Sequence, residues 1–227
     1  MAARELDAPV KAGLERQLEG WRNLLDGGAE RLGWKIGLNV PELQQRLGLS
    51  HSVIGFLTSA SRLGDGSAYS VGGMDKPLVE PEVAVTLRRD VEPGAAPDEA
   101  LAAIESLGPA IELVDIPSPP QDLEETLAGN VFHRAVVLGP HRQDAAVGGV
   151  VAAVRVNGEE RGSAPADVDL AATITLVAEL LGAAGERLRA GDTIICGSLT
   201  PPVPVGPGDA VEVDLGSLGQ AKLELTH

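Results

Sequence analysis

Apolar positions recur at helical spacing near the start of the chain, at Leu14, Leu18, Trp21 and Leu25, and the run stops at Gly27-Gly28, which predicts one amphipathic helix. The period then changes. Trp34, Ile36 and Leu38 alternate with Lys35 and two glycines, so residues 32–38 read as a strand whose lysine turns away from the core. Pro41 to Leu49 predicts a short helix, and residues 64–73 a loop or turn. In residues 78–87, Val79, Val83, Val85 and Leu87 share one strand face while Glu80 and Glu82 share the other. Pro97-Asp98-Glu99 opens a helix carrying Leu101, Ile104 and Leu107 on one side, ended by Gly108-Pro109, and a strand follows at Ala110 to Val114. Pro117, Pro119 and Pro120 mark a loop that could border a site, and Asp122 to Leu127 reads as one helical turn or two.

The second half is richer in strands. Val136 to Leu138 and Val150 to Val156 predict strands, the latter leaving through the hairpin signal Asn157-Gly158. Leu170, Ile174, Val177 and Leu181 form the clearest helical stripe, ending within residues 182–185. Thr193 to Cys196, the alternation of Val211, Val213 and Leu215, and Gln220 to Leu225 after a glycine-bounded turn predict three more strands. Strands mixed with two or three helices, without a regular strand-helix-strand repeat, point to an α+β fold with a largely β C-terminal body.

Glu80 and Glu82 are two like charges on one strand face and need a counter-charge. No His or Cys accompanies them, so an all-oxygen ligand set favours a hard cation, Mg2+ or Mn2+, over Zn2+. A solvated acidic face is the plainer alternative. Glu112 tips the balance, because it stands between Ala110 and Val114 in an apolar strand, where an unpaired carboxylate is costly to bury. Together the three glutamates would fill about half of an octahedral shell, leaving positions for water and a chelating substrate.

Composition narrows the classes of partner. With 227 residues, 44% hydrophobic and 22% charged, the chain can build a sizeable core, but aromatic residues are only 2%, which argues against base-stacking platforms. A formal net charge of −15 argues against nucleic acid and anionic membrane as partners, while a small anionic substrate remains acceptable where a metal and a lysine reverse the local field. The single cysteine, Cys196, excludes an intrachain disulfide and reads as a packed thiol in an apolar run. No N-terminal apolar run resembles a signal peptide or membrane span, so a cytoplasmic setting is the default expectation. His133, beside Phe132 and Arg134, reads first as a structural or surface residue and second as a neighbour of the pocket.

Seven segments in order, Gly33-Trp34-Lys35-Ile36-Gly37-Leu38, Leu43-Gln44-Gln45-Arg46-Leu47-Gly48, Glu80-Pro81-Glu82, Pro109-Ala110-Ile111-Glu112, Ala128-Gly129-Asn130, Leu188-Arg189-Ala190-Gly191-Asp192 and Cys196-Gly197-Ser198-Leu199, resemble the 2-keto-4-pentenoate hydratases of the fumarylacetoacetate hydrolase superfamily. The resemblance covers nearly the whole chain. It implies a mixed β-roll with a few peripheral helices, residues 71–227 forming the catalytic domain and residues 1–70 a small helical and strand region packed on it. It implies Mg2+ or Mn2+ held by Glu80, Glu82 and Glu112, Lys35 acting in catalysis and Asn130 binding substrate; Ser198, Leu199 and Thr200 form a glycine-bounded turn whose hydroxyls and backbone N–H groups could hold a substrate carboxylate, with ordinary turn chemistry as the alternative. The implied activity is a lyase reaction on a small anionic 2-oxo or 2-hydroxydienoic acid, such as hydration of 2-hydroxypenta-2,4-dienoate to 4-hydroxy-2-oxopentanoate, in a homo-oligomer. The alternatives are a carbon-carbon hydrolase or 2-oxo acid decarboxylase of the same superfamily, and a catalytically silent binding or assembly subunit. The chain departs from the hydratase pattern at Gly129, where an acid is usual, at Ile116-Pro117 in place of Ser-Arg, and at Val168-Asp169 in place of His-Pro.

Overall fold

The computed structural model describes residues 6–116 and 122–227, so the proline loop expected at 117–120 lies outside the described residues. The amphipathic helix α1 (Ala8–Asp26) buries Val10, Leu14, Leu18 and Trp21. Trp21 meets Trp34 of β1 (Arg31–Gly37) with ring centroids 5.3 Å apart, which seats the helix on the strand. There follow α2 (Pro41–Leu47), β2 (Val53–Thr58), β3 (Arg62–Leu63), β4 (Ala68–Ser70), β5 (Pro77–Leu87), α3 (Pro97–Ala102), β6 (Ile104–Asp115), α4 (Leu123–Ala128) and β7 (His133–Leu138). The second half contributes β8 (Val151–Val156), β9 (Glu159–Pro165), α5 (Leu170–Ala183), β10 (Thr193–Ile195), β11 (Val203–Pro204), β12 (Ala210–Asp214) and β13 (Gln220–Thr226).

The strands form two sheets. The larger has the order β2-β1-β10-β5-β6-β7-β3, with β11 also pairing onto β5, and the smaller has the order β4-β13-β12-β8-β9. β12 and β13 pack against β6, and Val79, Val83, Val85 and Leu87 of β5 join Val213, Leu223 and Leu225 in the main core. The stripe Ile174, Val177 and Leu181 of α5 closes that core from the side. This is the mixed α+β architecture expected, with five α-helices among the described residues rather than two or three. Among the described residues no helix is long and apolar enough to cross a membrane.

Two expectations are corrected, and one strand carried no sequence signal. The helix opened by Pro97 ends at Ala102, and Ile104, Leu107, Gly108 and Pro109 belong to β6. β6 pairs with β5 from Asp115 back to Ile104, and this long ladder outweighs a helical stripe only three residues strong. β2 has a burial pattern with no exposed face, so it lacks the alternation that marks a half-buried strand. β4 lies inside the stretch read as loop, where it pairs with β13.

The ladders also run across residue 70. β1 pairs in parallel with β10, and β2 pairs with β1, so the first third of the chain completes the sheet that carries the acidic strand.

Candidate active site

Register explains how the acidic residues meet. β5 and β6 are antiparallel with Glu80 opposite Glu112, and Glu82 lies two residues along β5 on the same face. Like charges directly opposite are destabilising, so this strand face holds an arrangement that packing alone would not favour. Carboxylate oxygens of Glu80, Glu82 and Glu112 all lie within 4.8 Å of one another. That is the spread of ligands each about 2.0–2.6 Å from one cation.

The loop over the site arises because two strands share one edge of β5. β10 pairs with Ala84–Thr86 and β11 with Leu78–Val79, and between them the chain bows out across residues 80–83. Pro81, which lacks an N–H, is tolerated where no neighbouring strand asks for one. Cys196 N–H donates to the Val83 carbonyl, Leu199 N–H to the Pro81 carbonyl, and Gly197 N–H to Glu82 Oε2 at 2.6 Å. Gly197 has φ +93°, a left-handed conformation that favours glycine, and a Cβ there would stand 2.6 Å from Asn39 Nδ2.

Lys35 reaches the same place from β1. It is 2% exposed, its Nζ lies 2.6 Å from Glu112 Oε1, and it donates to the Val131 carbonyl at 3.1 Å. Its neighbour across the ladder is Gly55, where a Cβ would stand 2.8 Å from Lys35 Cγ and 2.7 Å from Asn130 Oδ1, so the missing side chain is what admits the lysine. The Val131 carbonyl is delivered by an unusual turn. Asn130, Val131 and Phe132 have φ of 58°, 51° and 66°, a left-handed run that costs about 1–2 kcal/mol per residue for L-amino acids. Strain of this kind persists where the surroundings over-determine it, and it is concentrated here at the site.

His133 is the residue whose place the sequence hid. Its Nδ1 lies 2.7 Å from Glu112 Oε1, a carboxylate oxygen that can only accept, and its Nε2 is hydrogen-bonded with the Ser61 hydroxyl at 3.0 Å. Strand alternation would put it on the face away from Glu112. A bulge changes the parity: Leu113 pairs with Ala135 but Val114 pairs with His133, so Arg134 is skipped and His133 joins the face of Glu112.

Three carboxylates face one lysine, and the imbalance appears in their acidity. Burial pushes Glu80 up to about 7, with the charge of Glu112 adding to the effect and Lys35 opposing it. Burial also holds Glu82 well above the usual carboxylate range, reinforced by Glu112 and Glu80. Burial works against ionisation of Glu112 as well, but Lys35 and the His133 N–H outweigh it and hold the group at about 2. Burial pushes the His133 imidazole below its ordinary value, against the pull of Glu112.

A divalent cation fits this donor set. Glu82 Oε1 and Glu112 Oε2 are buried without a hydrogen-bond partner, a costly condition for carboxylate oxygens unless something else engages them. After Lys35 is matched to Glu112, two acidic groups remain to be neutralised, and their ligands are all oxygen.

Beside these groups lies a cavity of about 730 Å³ with Lys35 and Glu80 at its wall. Ser198, Leu199 and Thr200 line it, and the Leu199 N–H is engaged by the Pro81 carbonyl. Leu38, Val114, Ile116 and Phe132 make much of the rest apolar. Asn130 is hydrogen-bonded to the Phe56 backbone, accepting from N–H at 2.8 Å and donating to C=O at 3.0 Å. It braces β2 beneath Lys35. Cys196 is a buried thiol, as expected, with its acidity suppressed by burial.

Residues 34–226 match the family model described as fumarylacetoacetate (FAA) hydrolase C-terminal. A 2-hydroxyhexa-2,4-dienoate hydratase of Comamonas testosteroni is 31% identical over 216 residues, 90% of this chain and 82% of that protein. A 4-oxalocrotonate decarboxylase of a Pseudomonas species is 29% identical over 210 residues, 89% of this chain and 81% of that protein. Among solved structures, the 4-oxalocrotonate decarboxylase from Pseudomonas putida G7, complexed with magnesium and adipate, is similar with a TM-score of 0.84 at 25% identity, over 92% of this chain and 83% of that one.

Proposed function

Because the chain belongs to the fumarylacetoacetate hydrolase C-terminal family, we propose that it is a divalent-cation-dependent hydro-lyase adding water to a small 2-hydroxydienoic acid, as in the hydration of 2-hydroxypenta-2,4-dienoate to 4-hydroxy-2-oxopentanoate. The observation that carries the reading is the cluster of three carboxylates, two with unpartnered buried oxygens, beside one buried lysine at the wall of a cavity. Glu80, Glu82 and Glu112 would hold Mg2+ or Mn2+. When bound, such a cation supplies a Lewis acid for negative charge on a 2-oxo acid.

The chain's own groups divide the remaining work. Lys35 Nζ is the group available to steady charge at the substrate's 2-oxygen and to exchange a proton there. Moving the 2-hydroxyl proton to the terminal carbon gives a 2-oxo-3-enoate, and water then adds at C4 with its proton going to C3. Ser198 and Thr200 border the cavity with their hydroxyls donating to the Thr200 and Pro201 carbonyls, and the apolar wall at Leu38, Val114 and Phe132 suits the hydrocarbon end of the substrate. A silent assembly subunit has no physical need for three clustered carboxylates, two of them fully buried, beside an open cavity. Decarboxylation of a 2-oxo acid needs the same anchoring, and the decarboxylase relatives support it as the second reading.

The test is a screen of 2-hydroxydienoic and 2-oxo acids with Mg2+ or Mn2+, followed by ultraviolet loss of the conjugated enol and by product analysis. The expected result is hydration that stops with a chelator and returns with the metal. Release of carbon dioxide without a hydrated product assigns the decarboxylase instead, and absence of any metal-dependent turnover contradicts both.

A further inference from the structure

Glu112 is held asymmetrically. Its Oε1 takes Lys35 Nζ at 2.6 Å and His133 Nδ1 at 2.7 Å, while its Oε2 has no partner. The carboxylate torsion is a soft two-fold rotor, so one donor on a flexible lysine stem leaves the group free to swing. The second donor is of another kind. His133 is a rigid ring, 8% exposed, whose far nitrogen is tied to Ser61 and whose backbone follows the left-handed run of residues 130–132. The strand bulge at Arg134 is what brings it to this face. Lys35 already supplies the counter-charge for Glu112, so the imidazole is not needed for neutrality. What it adds is orientation.

We propose that His133 is a positioning residue of the cation centre, fixing the Glu112 carboxylate by its Oε1 so that Oε2 stays presented to the cation. The inference rests on the reading of Glu80, Glu82 and Glu112 as ligands. Groups that orient metal ligands from behind are worth about 10–100-fold in metal affinity, and that is the scale expected here.

Binding of Mn2+ to the metal-stripped full-length chain, read from the electron paramagnetic resonance signal of free Mn2+, tests it without reference to turnover. His133→Leu keeps bulk but removes both ring nitrogens, and its Mn2+ affinity should fall by about 10-fold or more. His133→Asn places an amide nitrogen where Nδ1 stands and should recover affinity to within about threefold of wild type. A packing role alone would lower the melting temperature of both variants without this split in affinity. His133→Leu binding Mn2+ as tightly as wild type, or His133→Asn binding as weakly as His133→Leu, overturns the proposal. Should His133→Leu fail to fold, Ser61→Ala replaces it: the ring then loses its anchor, an affinity loss of about threefold or more is expected, and unchanged affinity overturns the proposal. Failure of the ligand reading itself looks different. In that case wild-type protein does not bind Mn2+, or Glu82→Gln binds it as wild type does, and the role of His133 falls with it.

Discussion

Lys35 and Glu80 sit against the same cavity with opposite charges and separate duties. If Lys35 moves a proton at the substrate's 2-oxygen, Lys35→Met should lower kcat by roughly 100-fold or more, the scale of a positioned acid or base. Metal affinity should hold, because Glu112 keeps its His133 donor. Lys35→Arg should not rescue turnover, since a guanidinium exchanges protons poorly near neutral pH. Steady-state kinetics at saturating Mg2+ beside a metal titration separate these outcomes. Acidity gives a second prediction at this scale. Glu80 is raised from 4.5 to about 7, so the folded metal-free protein keeps a proton that the unfolded chain releases, and its stability falls as pH rises through that window. Glu112 works in reverse: held at about 2 against an ordinary 4.5, its stabilisation is present above 4.5 and is lost as pH falls toward 2. Mg2+ takes the place of the retained protons. The rise in melting temperature on adding Mg2+ should therefore be larger at pH 8 than at pH 5, and an equal rise at both would contradict the assignment. The carboxylates were legible in the sequence because each breaks an apolar strand pattern, whereas the pattern turned Lys35 away from the core and only the resemblance put it at the site, where it is buried. His133 was not, because the bulge that turns it toward Glu112 is a property of strand pairing.

At the scale of elements, the site is a consequence of which strands neighbour β5. β6 sets Glu112 opposite Glu80, β1 brings Lys35, and the break between β10 and β11 lets Gly197 reach Glu82. β1, β5, α5 and the hairpin at Asn157-Gly158 were readable from period and turn chemistry, since each has one apolar face or a left-handed turn. β2 and the first half of β6 were not. Both are stabilised by partners distant in sequence, and β2 is buried on both faces. The hidden strand has a testable part in the site. Gly55 of β2 has ordinary backbone angles, so Gly55→Ala strains nothing locally, but its Cβ meets Lys35 Cγ and Asn130 Oδ1. The variant should fold and lose up to about 100-fold in kcat, the cost of displacing a reacting group by about 1 Å. Wild-type turnover in a folded Gly55→Ala chain would show that the lysine needs no such fit.

Over the whole molecule, the two sheets enclose one main core, and the strands before residue 70 complete the sheet that carries the acidic residues. The fold class was legible because strands without a repeating crossover pattern leave few layered solutions. Strand order was not, because it depends on contacts that no local period encodes. The net charge of −15 makes the local reversal of field at the site necessary for any anionic substrate, and Lys35 alone does not provide it. The most direct measurement is an anomalous difference map from crystals of the full chain grown with Mn2+ and pyruvate, a small 2-oxo acid. One Mn2+ peak is expected about 2.0–2.6 Å from an oxygen of each of Glu80, Glu82 and Glu112, with the bound acid facing Lys35. A peak elsewhere, or three carboxylates that share no ion, would contradict it.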